Sequence, residues 1–255
     1  MIAASYVYFL YVAAVALLLP RLAPRARYRA VGVAAGGLLL TAATGATTAF
    51  WLRGVVLPPA LLLVAYWASG LLWTAPMPRI EARLAAIDAR LRIPQRCATT
   101  PRGLCEFLEF AYAGVYVLIP IALILHLAYG PAPDAGRFWT VVLVTDYVCF
   151  GMLPWIQTRP PRAIESGAPW RSGFRALNEK LLGHTSIGVN TVPSGHAAEA
   201  MAVALLLADA PWPIAAWMAF NALAISAGAV FGRYHYAVDA LAGWAVAVIV
   251  MALAG

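Results

Sequence analysis

Long apolar segments, separated by short stretches rich in arginine, make up most of this chain. About eight of them are predicted to be membrane-spanning helices, because a span needs roughly 20 mostly apolar residues. The pattern therefore predicts an all-α, polytopic membrane helical bundle. The predicted spans are Ile2–Leu19, Ala30–Trp51, Val55–Thr74, Leu104–Ala128, Phe138–Ile156, Ser194–Leu207, Trp212–Phe231 and Tyr236–Ala254.

A segment of different character, Met77–Ile93, lies between the third and fourth predicted spans. Its larger apolar residues, Ile80, Leu84, Ile87 and Leu91, recur at helical spacing and therefore share one face. Arginines and an aspartate flank that face. We predict an amphipathic helix that lies in the membrane interface.

Composition supports a membrane protein and excludes an ordinary soluble domain. The chain is 63% hydrophobic and 11% charged, and its mean hydropathy is +0.77. The net charge of +7 does not indicate nucleic-acid binding, because the basic residues lie in short loops where membrane topology accounts for them. If the spans alternate, only Arg53 and Arg137 fall on one face of the membrane. The positive-inside rule then places the other, basic face in the cytoplasm and both termini outside, as expected for a multi-pass integral protein of the cell membrane.

One candidate site for chemistry is Arg233-Tyr234-His235, followed by Asp239. His235 and Asp239 are four residues apart and therefore share a face if this stretch is helical. The carboxylate can then accept the proton on one imidazole nitrogen and leave the other free to attack phosphorus, which would give a phosphohistidine intermediate. A His–Asp pair that only fixes a helix end is the alternative interpretation. An ionisable pair in a membrane protein favours the functional one.

A second candidate is Pro193-Ser194-Gly195-His196, at the start of the sixth predicted span. Proline suits the first turn of a helix, and glycine allows an anion to approach the backbone closely. The free N–H groups of a helix start bind phosphate well, and His196 would lie beside that phosphate as a proton donor. Arg159 and Arg162, after the fifth predicted span, can bind phosphate oxygens. Glu199, which follows His196 by three residues, can support it.

These strings resemble the motifs of the type 2 phosphatidic acid phosphatase superfamily, a family of membrane lipid phosphatases and phosphotransferases. The second family motif, Pro-Ser-Gly-His, is complete at 193–196. Arg159-Pro160 resembles the end of the first motif, and His235 with Asp239 resembles the end of the third. The resemblance covers about the C-terminal half of the chain. It implies a six-helix catalytic core, which we expect within residues 55–255, with residues 1–54 as additional spans.

The resemblance also implies roles for individual residues. His235 would be the nucleophile, Asp239 the residue that orients it and His196 the general acid. The substrate would be a lipid phosphate or diphosphate, and no metal or other cofactor is expected. The residues expected to hold the phosphate are Arg159, Arg162, Ser194, Gly195 and Arg233.

Two departures from the family motifs stand out. Met152 occupies the position of the lysine in the first motif, and Gly228-Ala229 occupies the position of Ser-Arg in the third. We expect Arg233 to take over a phosphate-binding role, and one basic residue among Arg162, Arg171, Arg175 and Lys180 to replace the lysine. The altered third motif is similar to that of inositol phosphorylceramide synthases, so transfer of phosphate to an alcohol is an alternative to hydrolysis.

Two other classes of function remain open on the sequence. A metal-dependent membrane enzyme would use His196, Glu199, His235 and Asp239 as ligands, but would leave the Ser-Gly pair and the arginines without a role. A non-enzymatic anion transporter would carry charges deep within its spans. Here the key residues lie at the ends of spans. The spacing of Cys97, Cys105 and Cys149 does not fit a metal site and is typical of buried thiols.

Overall fold

Helices make up most of the fold in a computed structural model, which describes residues 1–131, 133–165 and 170–254. A π-helical turn at Leu52–Val56 leads into the third α-helix, and a 3₁₀ turn covers Pro161–Ala163. The all-α prediction is confirmed. The α-helices are α1 (Ile2–Leu18), α2 (Pro24–Ala46), α3 (Leu57–Gly70), α4 (Pro78–Arg90), α5 (Ile93–Thr99), α6 (Arg102–Ala113), α7 (Val115–Tyr129), α8 (Ala135–Gly151), α9 (Gly173–Thr185), α10 (Gly195–Leu206), α11 (Trp212–Phe231) and α12 (Ala237–Ala254).

Four helical stretches are long and apolar enough to cross a membrane: α2, Leu52–Gly70, α11 and α12. The pair α6 and α7 would be a fifth span if counted together, although it bends by 61° at Gly114. Helices α1 and α10 are apolar but shorter. Each of the eight predicted segments is thus helical, but length and composition support at most five spans in the described chain rather than about eight.

Two further differences from the prediction concern the polar segments. The amphipathic helix is present as α4, but its buried face carries Glu81 and Asp88 on either side of Leu84. The region between Arg162 and Asn190, which lies outside every predicted span, contains α9, whose N-terminal cap is the side chain of Ser172. Residues 166–169 of that region lie outside the described residues. The apolar pattern missed α9 because a polar helix held by buried hydrogen bonds has no strong apolar stripe.

The starts of α10 and α12 lie close together. This brings the two histidine strings, which are residues 193–196 and residues 233–239, to one end of the bundle. The N–H of Ser194 donates to the carbonyl oxygen of Asp239 at 2.9 Å. Gly243 permits this approach, since a Cβ atom at that position would lie 2.6 Å from the carbonyl oxygen of Ser194. Any larger residue at 243 would push α12 away from α10.

The two arginines that the charge pattern sets apart also lie together. Arg53 and Arg137 line a cavity of about 770 Å³, together with residues from the start of α1 and the last residue of α12. Because α12 begins beside the histidine strings, this cavity is at the opposite end of the bundle. The apolar core is continuous from α1 to α12, and the predicted domain boundary after residue 54 falls within the π-helical turn.

Candidate active site

His235 lies in the short loop between α11 and α12 and is 8% exposed. Its Nδ1 atom is 3.5 Å from Oδ2 of Asp239, one turn later. That oxygen is itself held by the side-chain amide of Asn190 at 2.8 Å and by the N–H of Tyr236 at 2.9 Å. The carboxylate therefore faces Nδ1 of His235 and leaves Nε2 as the free ring nitrogen.

Asn190 reaches Asp239 because an extended segment before α10 pairs with the segment after α8. The N–H of Asn190 donates to the carbonyl oxygen of Thr158 at 2.9 Å, and its side chain also donates to Oγ1 of Thr158 at 3.1 Å. Sequence reasoning did not assign Asn190 to Asp239. No sequence pattern indicates that Asn190 pairs with Thr158. The contact between Asn190 and Asp239 could therefore not be predicted from the sequence alone.

Burial lowers the pKa of His235 below its ordinary value of 6.5. The hydrogen bond and charge of Asp239 oppose this shift, whereas the nearby His196 and Arg162 reinforce it. The net direction keeps the imidazole neutral near pH 7, which is the form that a nucleophile requires.

Helix α10 starts at Gly195, and His196 lies in its first turn. The Ser194 hydroxyl caps the helix by accepting from the N–H of Ala197 at 3.4 Å. This explains the local sequence, since serine is among the best N-cap residues. Ser194 is fully buried and does not reach the cavity beside the histidines, whereas Gly195 lines it. The side chain of Ser194 therefore caps α10, and the expectation that Ser194 holds phosphate stays a prediction.

A cavity of about 650 Å³ opens beside the two histidines. His196, His235, Gly195 and Arg162 line one part of it, together with Thr191, which the sequence reasoning did not single out. The rest is mostly apolar and comes chiefly from α3 and α7. These residues are Val55, Pro59, Leu62, Leu63, Tyr66, Trp67, Val115, Tyr116, Ile119, Pro120, Leu123, Ile124 and Leu127. Such a cavity suits a molecule with a charged head and an apolar tail.

Arg162 is the basic residue that the structure places in this cavity. Its N–H donates to the carbonyl oxygen of Arg233 at 3.0 Å, which fixes the backbone of the 3₁₀ turn beside the histidine loop. Its guanidinium lies 5.1 Å from the ring centre of Tyr234, and that ring stacks on Tyr112 with centroids 4.3 Å apart. The aromatic pair thus positions the cation where phosphate oxygens could bind.

Comparison with known proteins agrees with these motifs. A model of the PAP2 superfamily matches residues 77–253. This chain belongs to the PAP2 superfamily. The match runs from the start of α4 to the end of α12, so it includes both histidine strings. No curated protein and no solved structure matches the chain. The PAP2 superfamily supports phosphatase-type activity on phosphate esters, and the apolar helices support a membrane protein.

Two arginines expected at the phosphate are instead bound by carboxylates of α4. Arg159 donates to Glu81 from its N–H and from its guanidinium, at 2.8–3.0 Å, and this lowers the pKa of Glu81. Arg233 lies between Asp88, at 2.6 Å, and Glu165, at 2.6 Å. Neither arginine lines the cavity. The structure thus pairs both arginines with carboxylates of α4, and their expected contact with phosphate stays a prediction.

The unusual third motif of this PAP2 chain has a steric cause. Helix α11 passes so close to α6 that a Cβ atom at Gly228 would lie 2.4 Å from the carbonyl oxygen of Leu108. Ala229 is fully buried against Tyr112 and Tyr234. The serine and arginine of the usual motif would not fit at these two positions without moving α6.

The four candidates for replacing the missing lysine differ in their positions. Arg175 is buried between Glu109 and Glu179, at 3.0 Å from each, and donates to the carbonyl oxygen of Gly232. Arg171 and Lys180 are exposed and do not line the cavity. Of the four basic residues considered, Arg162 alone lines it.

Among the described residues, no group of three or more His, Cys, Asp or Glu side chains is arranged to hold a metal ion, so the four-ligand alternative finds no support in the geometry. The three cysteines are buried free thiols.

Proposed function

We propose that this protein is a multi-pass integral membrane phosphatase that hydrolyses a lipid phosphate or diphosphate through a phosphohistidine intermediate, without a metal ion. The main support for the proposal is that polar and apolar residues line one and the same cavity. Two histidines, a helix start and an arginine line one part of it, while two apolar helices line the rest. The PAP2 membership supports the ester-hydrolase class, and the cavity supports the choice of a lipid.

In the first step, Nε2 of His235 attacks phosphorus and the bond from phosphorus to the lipid oxygen breaks. His196 gives its proton to that oxygen, so the alcohol leaves neutral. The phosphorylated imidazole carries a positive charge, and Asp239 beside Nδ1 stabilises it. Arg162 and the first N–H groups of α10 stabilise the charge on the phosphoryl oxygens.

In the second step, water replaces the alcohol. His196, now neutral, takes a proton from the water, whose oxygen attacks phosphorus while the bond to Nε2 of His235 breaks. Inorganic phosphate leaves and both histidines return to their starting states. An alcohol that entered in place of water would give a phosphotransferase, as in inositol phosphorylceramide synthases, with the same first step.

The apolar part of the cavity is where the lipid tail would bind. Leu63 and Trp67 of α3 and Ile124 of α7 line it and are also exposed on the outer surface of the helices. In a membrane these side chains would face lipid, so a substrate could enter sideways between α3 and α7. Burial of an acyl or prenyl chain there would contribute about 0.8 kcal/mol per methylene.

Phosphate release by the purified protein in detergent tests the proposal. The panel would contain phosphatidate, phosphatidylglycerophosphate, sphingosine phosphate and an isoprenyl diphosphate, each with and without EDTA. We expect release from at least one lipid, unchanged by EDTA and abolished in His235→Ala. Loss in EDTA that added metal restores would favour the metal-dependent alternative. Absence of release from every lipid, with or without an added alcohol acceptor, would contradict an enzymatic function and favour the anion transporter.

A further inference from the structure

Two carboxyl groups that the mechanism above does not use lie next to His196. Glu199 follows it by three residues on α10, and Asp146 belongs to α8, which packs against α10. Both carboxyl groups are buried in a region of the bundle that is otherwise apolar. Buried carboxylates at such positions are costly and call for a role.

Glu199 faces the imidazole of His196. Its Oε2 atom lies 3.9 Å from Nδ1 of His196, and its side chain is 8% exposed. Glu199 also lines the same cavity as the two histidines. The pair therefore resembles His235 and Asp239 in form, with a carboxylate at Nδ1 that leaves Nε2 to face the substrate.

Asp146 lies behind this pair and is 1% exposed. Neither of its oxygens has a hydrogen-bond partner among the described residues. Its Oδ1 atom would be 3.5 Å from a Cβ atom at Gly195, which places it beneath the first turn of α10. Asp146 is thus a second buried carboxyl group at the start of the helix that carries His196 and Glu199.

We propose that Glu199 is a positioning residue for His196. The inference rests on the proposed role of His196 as general acid. The Glu199 carboxylate attracts the Nδ1–H side of the His196 ring across 3.9 Å and so directs Nε2 at the leaving oxygen.

Comparison of two leaving groups tests this role. An alkyl phosphate such as phosphatidate needs protonation of its leaving oxygen, whereas p-nitrophenolate is a good leaving group without it. In Glu199→Gln we expect kcat/KM for phosphatidate, or for the best phosphate monoester of the lipid panel, to fall about 10- to 100-fold, since general acid catalysis is worth about 10²–10⁴ in rate. We expect kcat/KM for p-nitrophenyl phosphate, which reports only the steps up to the loss of p-nitrophenolate, to change less than about threefold.

Two variants provide the controls. Glu106→Gln removes a carboxylate of α6 that does not line the cavity, and we expect it to leave both rates unchanged. His196→Ala should show the same leaving-group pattern as Glu199→Gln, in stronger form. Suppose that His196→Ala shows the leaving-group pattern. If Glu199→Gln then lowers the rates for the lipid and for p-nitrophenyl phosphate equally, or lowers neither rate, the inference about Glu199 is wrong while the proposed function stands. If His196→Ala does not show it, the general-acid assignment fails, and with it the inference.

A second substitution covers the case in which glutamine prevents folding. Glu199→Met keeps a side chain of similar length and places an apolar group in an apolar region, which is often neutral or stabilising. Retained turnover of p-nitrophenyl phosphate reports that either variant is folded. We expect Glu199→Met to lose phosphatidate hydrolysis selectively, as Glu199→Gln does, and equal turnover of both substrates would overturn the proposal.

Discussion

The two histidines of the cavity differ in how firmly their carboxylate partners are held. Oδ2 of Asp239 accepts from Asn190 and from the N–H of Tyr236, so it is fixed in front of His235. Glu199, in contrast, stands 3.9 Å from His196. A fixed partner suits a nucleophile that must keep one tautomer, and a looser one suits a residue that gives and takes a proton in each cycle.

Substitution of Asp239 tests the first of these arrangements. In Asp239→Asn we expect kcat to fall about 10³- to 10⁴-fold, because an amide cannot both fix the tautomer of His235 and stabilise its positive charge. Phosphate release from the best lipid substrate measures this. Asp209→Asn, an exposed aspartate in the loop between α10 and α11, is the matched control and should retain the wild-type rate. Equal rates in the two variants would contradict the role of Asp239.

The pH dependence of kcat/KM tests the state of His235. Its pKa is lowered chiefly by burial, and the neutral form is the active one. On the acidic side of the pH profile, activity should therefore be lost as pH falls, and the midpoint of this loss should lie below pH 6.5. Asp239 opposes the shift, so in Asp239→Asn the residual activity should show this acidic limb at still lower pH. An acidic limb above pH 6.5 in the wild type would argue against a buried histidine nucleophile.

At the scale of elements, α4 connects two otherwise separate parts of the site. Its Glu81 binds Arg159, which follows α8, and its Asp88 binds Arg233, which precedes α12. Asp88 also accepts from the N–H of Ala237 at 3.0 Å and so caps the start of α12. Helix α4 thus fixes the backbone on both sides of His235 without contacting the cavity.

Two substitutions around Arg233 measure this connection. Asp88 is almost fully buried, with a side chain 1% exposed, whereas Glu165 is 38% exposed. Asp88→Asn should lower the free energy of unfolding by about 3–5 kcal/mol, because it breaks a buried ion pair. Glu165→Gln should lower it by no more than about 1 kcal/mol, as for exposed pairs. Thermal unfolding in detergent would show the difference, and equal midpoints would contradict the role of α4.

The limits of the sequence prediction also show at this scale. The apolar segments and the two histidine strings are local signals, and they predicted the helices and the residues His196, His235 and Asp239 as neighbours of a helix start. The partners of Arg159 and Arg233 depend on which carboxylates α4 presents, more than 75 positions away in the chain. A pattern of charges cannot specify such pairings. The break at Gly114 was missed because the prediction joined most of the amphipathic α6 and the apolar α7 into one segment, Leu104–Ala128.

For the whole molecule, the structure separates two ends with different chemistry. One end carries the histidine cavity, α4 and the arginine contacts around it, and the other carries Arg53 and Arg137. The apolar flank of the cavity lies between α3 and α7, where a lipid could enter from the membrane. Assignment of the histidine end to the cytoplasm stays a prediction of the positive-inside rule.

Capture of phosphate on the protein tests the proposed phosphohistidine intermediate. Purified protein, its His196→Ala variant and its His235→Ala variant would each be mixed with p-nitrophenyl phosphate, quenched under alkaline conditions and digested for mass spectrometry. We predict phosphate on His235, more abundant in His196→Ala because the second step lacks its base, and absent from His235→Ala. Phosphate on another residue, or turnover with no phosphorylated peptide in either His235-containing protein, would contradict it.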